Sequence, residues 1–153
     1  MIVTRRSVLG RAGAGMIWFA ASSSLVWRSA VAAVSPDSFE VPTLDQVVKS
    51  LGGSSATESA DIELRTPEIA ENGAVVPVEI TSSLKGTRAI AIVVEKNPHP
   101  LSAFFSLPSG TEPYISTRVK VGNSSDVIAL VQTDAGFFTA RKLVKVTLGG
   151  CGG

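Results

Sequence analysis

One cysteine and one histidine stand among the 153 residues. A single cysteine excludes an internal disulfide framework, cysteine-based zinc fingers, CxxC redox pairs and haem attachment through Cys-x-x-Cys-His. A single histidine excludes a three-histidine metal site. An excess of one charge is also lacking, with 14 Lys and Arg against 13 Asp and Glu. That balance gives no general case for nucleic-acid binding, which shows itself as a basic patch. The weakly hydrophobic stretch Ala12 to Trp27 has 16 residues, five of them Gly or Ser. It falls short of the roughly 20 apolar residues that span a bilayer. Most single-chain enzyme chemistries lose their support before any motif is read. The length suits one domain with a tail.

What is present begins with an address. Thr4-Arg5-Arg6-Ser7-Val8-Leu9 opens the chain, the diluted apolar stretch follows, and Ala30-Val31-Ala32 ends it. A basic start, an apolar middle and a small-residue end make a secretory signal. The paired arginines resemble a twin-arginine leader, with Val8 where Phe is more usual. Residues 1–32 are therefore expected to be cleaved, leaving a periplasmic protein with no membrane attachment. The mature chain keeps ten basic and thirteen acidic residues, a net of −3, and loses both Trp and both Met. Cys151 is then its only sulfur atom.

Residues 33–60 read as an N-terminal segment. Val34 to Pro42 is polar and irregular, a flexible start. Thr43-Leu44-Asp45-Gln46 has the form of a capping box, with Gln46 reaching back to Thr43. Leu44, Val47, Val48 and Leu51 share one face of a short helix, which Gly52-Gly53 ends. Ser54 to Ser59 is a loop. From Asp61 the period changes to two. Seven strands are expected: Asp61–Thr66, Ala74–Thr81, Arg88–Glu95, Leu101–Leu107, Tyr114–Val121, Val127–Gln132 and Phe137–Leu148. Pro77 predicts an edge or a bulge in the second. Seven short strands with regular turns and no second helix predict an all-β fold over residues 61–148, an immunoglobulin-like antiparallel β-sandwich. In Phe104-Phe105 and Phe137-Phe138 one ring enters the core; the other fills a crevice or meets a partner.

The chain ends in Gly149-Gly150-Cys151-Gly152-Gly153. Glycine has no Cβ and samples both signs of φ, so residues 149–153 predict a thin flexible arm. Cys151 can lie about 10 Å beyond the last strand. A free thiol has a pKa of about 8.5 and is only a few per cent thiolate at neutral pH. No base flanks Cys151, and the terminal carboxylate disfavours the thiolate. The arm is therefore no self-sufficient active site. It is a handle that enters the active sites of other proteins, where activation is supplied.

Three segments carry a resemblance together with the terminal pentapeptide. They are Pro67 to Val78, Glu95-Lys96-Asn97-Pro98-His99-Pro100 and Thr117-Arg118-Val119-Lys120. With the leader, they resemble the SoxY-type sulfur-oxidation carrier proteins. The resemblance implies a periplasmic carrier with an immunoglobulin-like fold, paired with a SoxZ-type subunit as a heterodimer. It implies covalent substrate attachment at Cys151, with Gly149, Gly150, Gly152 and Gly153 as its arm. A haem enzyme would join thiosulfate oxidatively to the cysteine, and a metal-dependent hydrolase would release sulfate. A molybdenum and haem sulfane dehydrogenase is a further partner. The chain itself would be no enzyme and hold no metal or cofactor.

Two other classes stand beside this one. One is an immunoglobulin-like binding module that dimerises through a Cys151–Cys151 disulfide. The other resembles ubiquitin-like sulfur donors, with a thiocarboxylate at Gly153; export and the strand pattern argue against it. His99, between two prolines, reads as a surface or turn residue. Arg118 and Lys120, and Arg141, Lys142 and Lys145 before the arm, read as solvated, with a capacity to attract anionic partners. Asp61, Glu63 and Arg65 share a solvent-facing strand row.

Overall fold

The computed structural model describes residues 34–147. The leader and the arm, with Cys151 and its four glycines, lie outside these residues. The described chain is all-β with one short helix, and its strands form two sheets. The helix, α1, spans Leu44–Ser50, with the Thr43 hydroxyl accepting from the Gln46 N–H at 3.3 Å. The return bond from the Gln46 side chain is absent among the described residues, so only half of the expected capping box forms.

Nine strands follow, seven at the expected places. They are β1 (Ala56–Glu58), β2 (Ile62–Arg65), β3 (Ile69–Ala70), β4 (Val76–Ser82), β5 (Thr87–Val94), β6 (Leu101–Ser106), β7 (Tyr114–Val119), β8 (Ser125–Thr133) and β9 (Gly136–Val146). The larger sheet runs β1-β9-β8-β5-β6, with β3 also on β9; the smaller runs β2-β4-β7. The sandwich is antiparallel apart from β1 and β3, which pair parallel with β9. These two strands are three and two residues long. Neither is long enough to show a period, so the segment Ser54–Ser59 read as a loop.

The larger sheet is buried on both faces. On its inner face Ile90, Ile92, Val94, Val127, Ala129 and Val131 meet Val76, Val78 and Ile80 of the smaller sheet. On its outer face Ala91, Val93, Ile128, Leu130 and Phe137 meet Val47 and Val48 of α1. Two-sided burial explains the unbroken apolar run Ala89 to Val94, which has no polar alternation. A seven-residue helix is not stable alone in water. It is held because Val47 and Val48 are fully buried, at about 1.5–3 kcal/mol for each such side chain.

The start of the described residues is also recruited to this outer layer. The sequence predicts a flexible segment over Val34–Pro42. Instead Pro36–Phe39 form a 3-10 turn, with the Ser35 hydroxyl accepting from the Asp37 N–H. Phe39 and Val41 pack beside Leu44 and Leu51 on the outer cluster. The outward rings of both Phe pairs, Phe104 and Phe137, lie in that cluster, while Phe105 and Phe138 pack inward. The outward rings are therefore covered by the chain's own N-terminal segment.

Two local irregularities have clear causes. A register shift sets Val93 against Leu101 after Ile92 against Ala103. The extra residue reverses side-chain parity, so Leu101 joins the outer cluster as Phe104 does. Pro77 lies on the middle strand of the smaller sheet, and β4 has no bulge. However, β2 ends at Arg65, opposite Glu79, so the β2 side of Pro77 is locally an edge. The Thr66 hydroxyl donates to the Pro77 carbonyl at 3.0 Å. In an extended strand N–H and C=O of one residue face the same side, so the missing donor interrupts no ladder.

Candidate functional site at the root of the arm

The last strand presents the C-terminal segment, so the site is built outward from β9. β9 has eleven residues and is flanked by β8 on one side and by β1 and β3 on the other. Val144 is fully buried, and Val146 packs against the inner core. The strand's end is held by the backbone. The Lys145 N–H donates to the Glu68 carbonyl at 2.8 Å, and the Thr147 N–H donates to the Ala70 carbonyl at 3.1 Å. On the other side β8 begins only at Ser125, opposite Val144. There the Ser124 hydroxyl takes the place of the missing strand and accepts from the Val146 N–H at 2.9 Å.

The neighbouring loops are tied to this end. The Asn97 side-chain amide donates to the Lys120 carbonyl at 2.8 Å and accepts from the Gly122 N–H at 3.0 Å. The Ser125 hydroxyl accepts from the Lys96 N–H at 3.0 Å. The Gly73 carbonyl accepts from the Val121 N–H at 2.7 Å. A Cβ at Gly73 would collide with the Val121 carbonyl, so the turn lies this close only because it has none. Sequence reasoning left Asn72-Gly73 and Asn97-Pro98 between its expected strands. It missed that both are tied to the segment Lys120–Gly122, because these bonds join residues far apart in the chain.

Two shallow recesses flank that end. One, of about 410 Å³, is lined by Lys96, Gly122, Asn123, Ser124 and Val146. The other, of about 360 Å³, is lined by Glu68, Ile69, Lys142, Leu143 and Lys145. Val146 and Lys145 are successive strand residues, so they point to opposite faces and into different recesses.

The basic residues before the arm do not act as one row. Arg141 lies 3.9 Å from Asp126. Lys145 is exposed. Lys142 has the inward parity of Ala140 and Val144, and its Nζ donates to the Thr66 carbonyl at 2.9 Å, tying the two sheets together. Arg118 is exposed on β7. His99 is exposed and its Nδ1 lies 3.5 Å from Glu40 Oε2, a surface pairing. Asp61, Glu63 and Arg65 face solvent. Arg65 bonds Glu63 at 2.7 Å, and that hydrogen bond, reinforced by the carboxylate's charge, raises the guanidinium pKa above its ordinary value. Among the described residues no three His, Cys, Asp or Glu side chains gather as metal ligands. None of the described helices is long and apolar enough to cross a membrane.

Residues 48–151 match the family described as sulfur oxidation protein SoxY. The chain belongs to the SoxY family. Among solved structures it is similar to the sulfur carrier protein SoxY from Chlorobium limicola f thiosulfatophilum, at 33% identity and a TM-score of 0.61. That match covers 68% of this chain and 94% of the other. A superoxide reductase (neelaredoxin) from Ignicoccus hospitalis matches at 18% identity and a TM-score of 0.50, over 56% of this chain and 80% of its own. That second likeness concerns the sandwich alone. No curated protein sequence matches. The SoxY match runs through the braced end of β9 and reaches Cys151.

Proposed function

We propose that this protein is a periplasmic carrier of sulfur intermediates, with the substrate bound covalently to Cys151. The observation that carries the reading is the lone cysteine between paired glycines, directly after a strand braced up to Thr147, in a chain of the SoxY family. A firm root and a slender tip suit delivery of one thiol into several deep active sites. The similar protein from Chlorobium limicola f thiosulfatophilum is itself named a sulfur carrier.

The chemistry is supplied by partners. In the first step the Cys151 thiol and thiosulfate form an S–S bond. The thiol loses its proton, and two electrons pass to a haem enzyme, leaving Cys151–S–S–SO₃⁻. In the second step water attacks the terminal sulfonate sulfur at a hydrolase, releasing sulfate and a proton and leaving Cys151–S–SH. A sulfane dehydrogenase would then oxidise the remaining sulfur. The chain contributes the nucleophilic sulfur and its reach, while a SoxZ-type subunit completes the carrier.

Intact-mass spectrometry without reductant, on protein recovered from the periplasm, tests this reading. The expected species begins near Ala33 and bears reducible sulfur adducts confined to Cys151. Cys151→Ser is expected to abolish loading entirely while thermal unfolding stays as in the wild type. If thiosulfate and the native partner enzymes yield only free thiol or a symmetric disulfide, the reading fails in favour of a binding module.

A further inference from the structure

Two exposed apolar side chains stand together beside the root of the arm. Ile69 is 59% exposed and Leu143 is 50% exposed. Ile69 pairs with Lys145 across β3 and β9. Leu143 precedes Lys145 by two residues and shares its face. Both line the recess of about 360 Å³, and neither belongs to a core cluster. A single exposed apolar residue needs no explanation. An adjacent pair in one recess, at this place in the fold, calls for one.

Reach supplies it. The Thr147 N–H is bonded to Ala70, the neighbour of Ile69. Four residues lead from Thr147 to Cys151, so the thiol stays within about 14 Å of this point. The carrier reading proposed above places the reacting sulfur on Cys151, and the present inference rests on that reading. Any protein acting on that sulfur must bring its own reacting centre inside this radius, and its surface then lies over the end of β9.

We infer that the Ile69–Leu143 face is the docking surface for the enzymes that act on Cys151, and that they meet it with an apolar centre and an acidic rim. Lys145 and Glu68 border the pair on its own face, and Lys142, whose ammonium is bonded to the Thr66 carbonyl, lines the recess from the strand's other side. The recess as a whole is positive, although the mature chain carries a net charge of −3. A second copy is a poor occupant, because a two-fold contact on this face would bring the positive recess against itself. An apolar centre gives such a contact its strength, and the charged rim gives it rate and orientation.

The test uses the full exported chain with its native subunits, thiosulfate and the haem-containing conjugating enzyme as probe. Loading of Cys151 is followed by intact mass. The double variant Ile69→Ser/Leu143→Ser is expected to load at least about tenfold more slowly at sub-saturating carrier, recovering as carrier concentration rises. Its alkylation by iodoacetamide, which needs no docking, is expected to match the wild type. Lys145→Glu is expected to slow loading more at low than at high ionic strength, and it keeps the test open if the double variant fails to fold. Failure of the wild type to load would overturn the carrier reading and this inference with it. A wild type that loads beside variants that load equally fast would overturn this inference alone. So would loss of a stably bound subunit from the double variant in size exclusion, which would assign the face to the permanent assembly.

Discussion

The two ends of β9 are held by different means. At its start, Phe137 lies under α1 and is 8% exposed, with Val48 and Gly53 against it. A Cβ on Gly53 would come within 2.5 Å of the Phe137 ring, so helix end and ring fit only because that residue is glycine. At its finish, the strand is gripped by Glu68 and Ala70 carbonyls and by the Ser124 hydroxyl, and its outer face, Leu143 and Lys145, is left uncovered. Burial fastens the first end and polar bonds at the sheet's margin fasten the second. On the carrier reading, a covering layer at the second end would stand in the path of whatever approaches Cys151. Backbone bonds fix the strand there while leaving its surroundings open.

The sharpest way to break this contrast is at the buried end. Phe137→Ala is expected to lower global stability by about 3–5 kcal/mol, read from the denaturant midpoint. A loss of under about 1 kcal/mol would mean that α1 collapses onto the gap and that the ring is not what holds this end.

At the open end the effect is smaller and local. Ser124→Ala removes the acceptor of the Val146 N–H and is expected to cost about 1 kcal/mol. Hydrogen exchange of the Val146 amide should accelerate about fivefold, while amides of β5 keep their protection. Equal acceleration across the whole sheet would show that the strand's end does not open independently.

The smallest expected change sharpens the buried side. Thr43→Ala removes the helix cap and is expected to lower stability by about 0.5–1 kcal/mol, read as a modest fall in Tm. The loss is small because α1 is held by Val47 and Val48, not by its own ends. A loss as large as that of Phe137→Ala would reverse that order.

Much of the strand pattern was legible, because each of the seven longer strands carries its own period and its own bounding turn. α1 was legible for the same reason, down to its Thr43 cap. β1 and β3 were not, since two or three residues show no period and exist as strands only by pairing with β9. The 3-10 turn at Pro36–Phe39 was read as flexible because its holding contacts are with β6 and α1, not with itself. Lys142 looked like a companion of Arg141 and Lys145. Parity alone turned it inward, and only the neighbouring Thr66 carbonyl gave that direction a partner.

By itself the sequence determined the seven longer strands, the helix α1, the lone cysteine and the glycines on either side of it. These are local properties, written in periodicity, in turn residues and in the absence of Cβ atoms. Tertiary structure alone decided what lies on each side of a strand. It covered Phe104 and Phe137 with the N-terminal segment, left Ile69 and Leu143 bare beside the end of β9, and held that end with the Ser124 hydroxyl and the Glu68 and Ala70 carbonyls. Parity says which residues share a face, but what meets that face comes from chain distant in sequence.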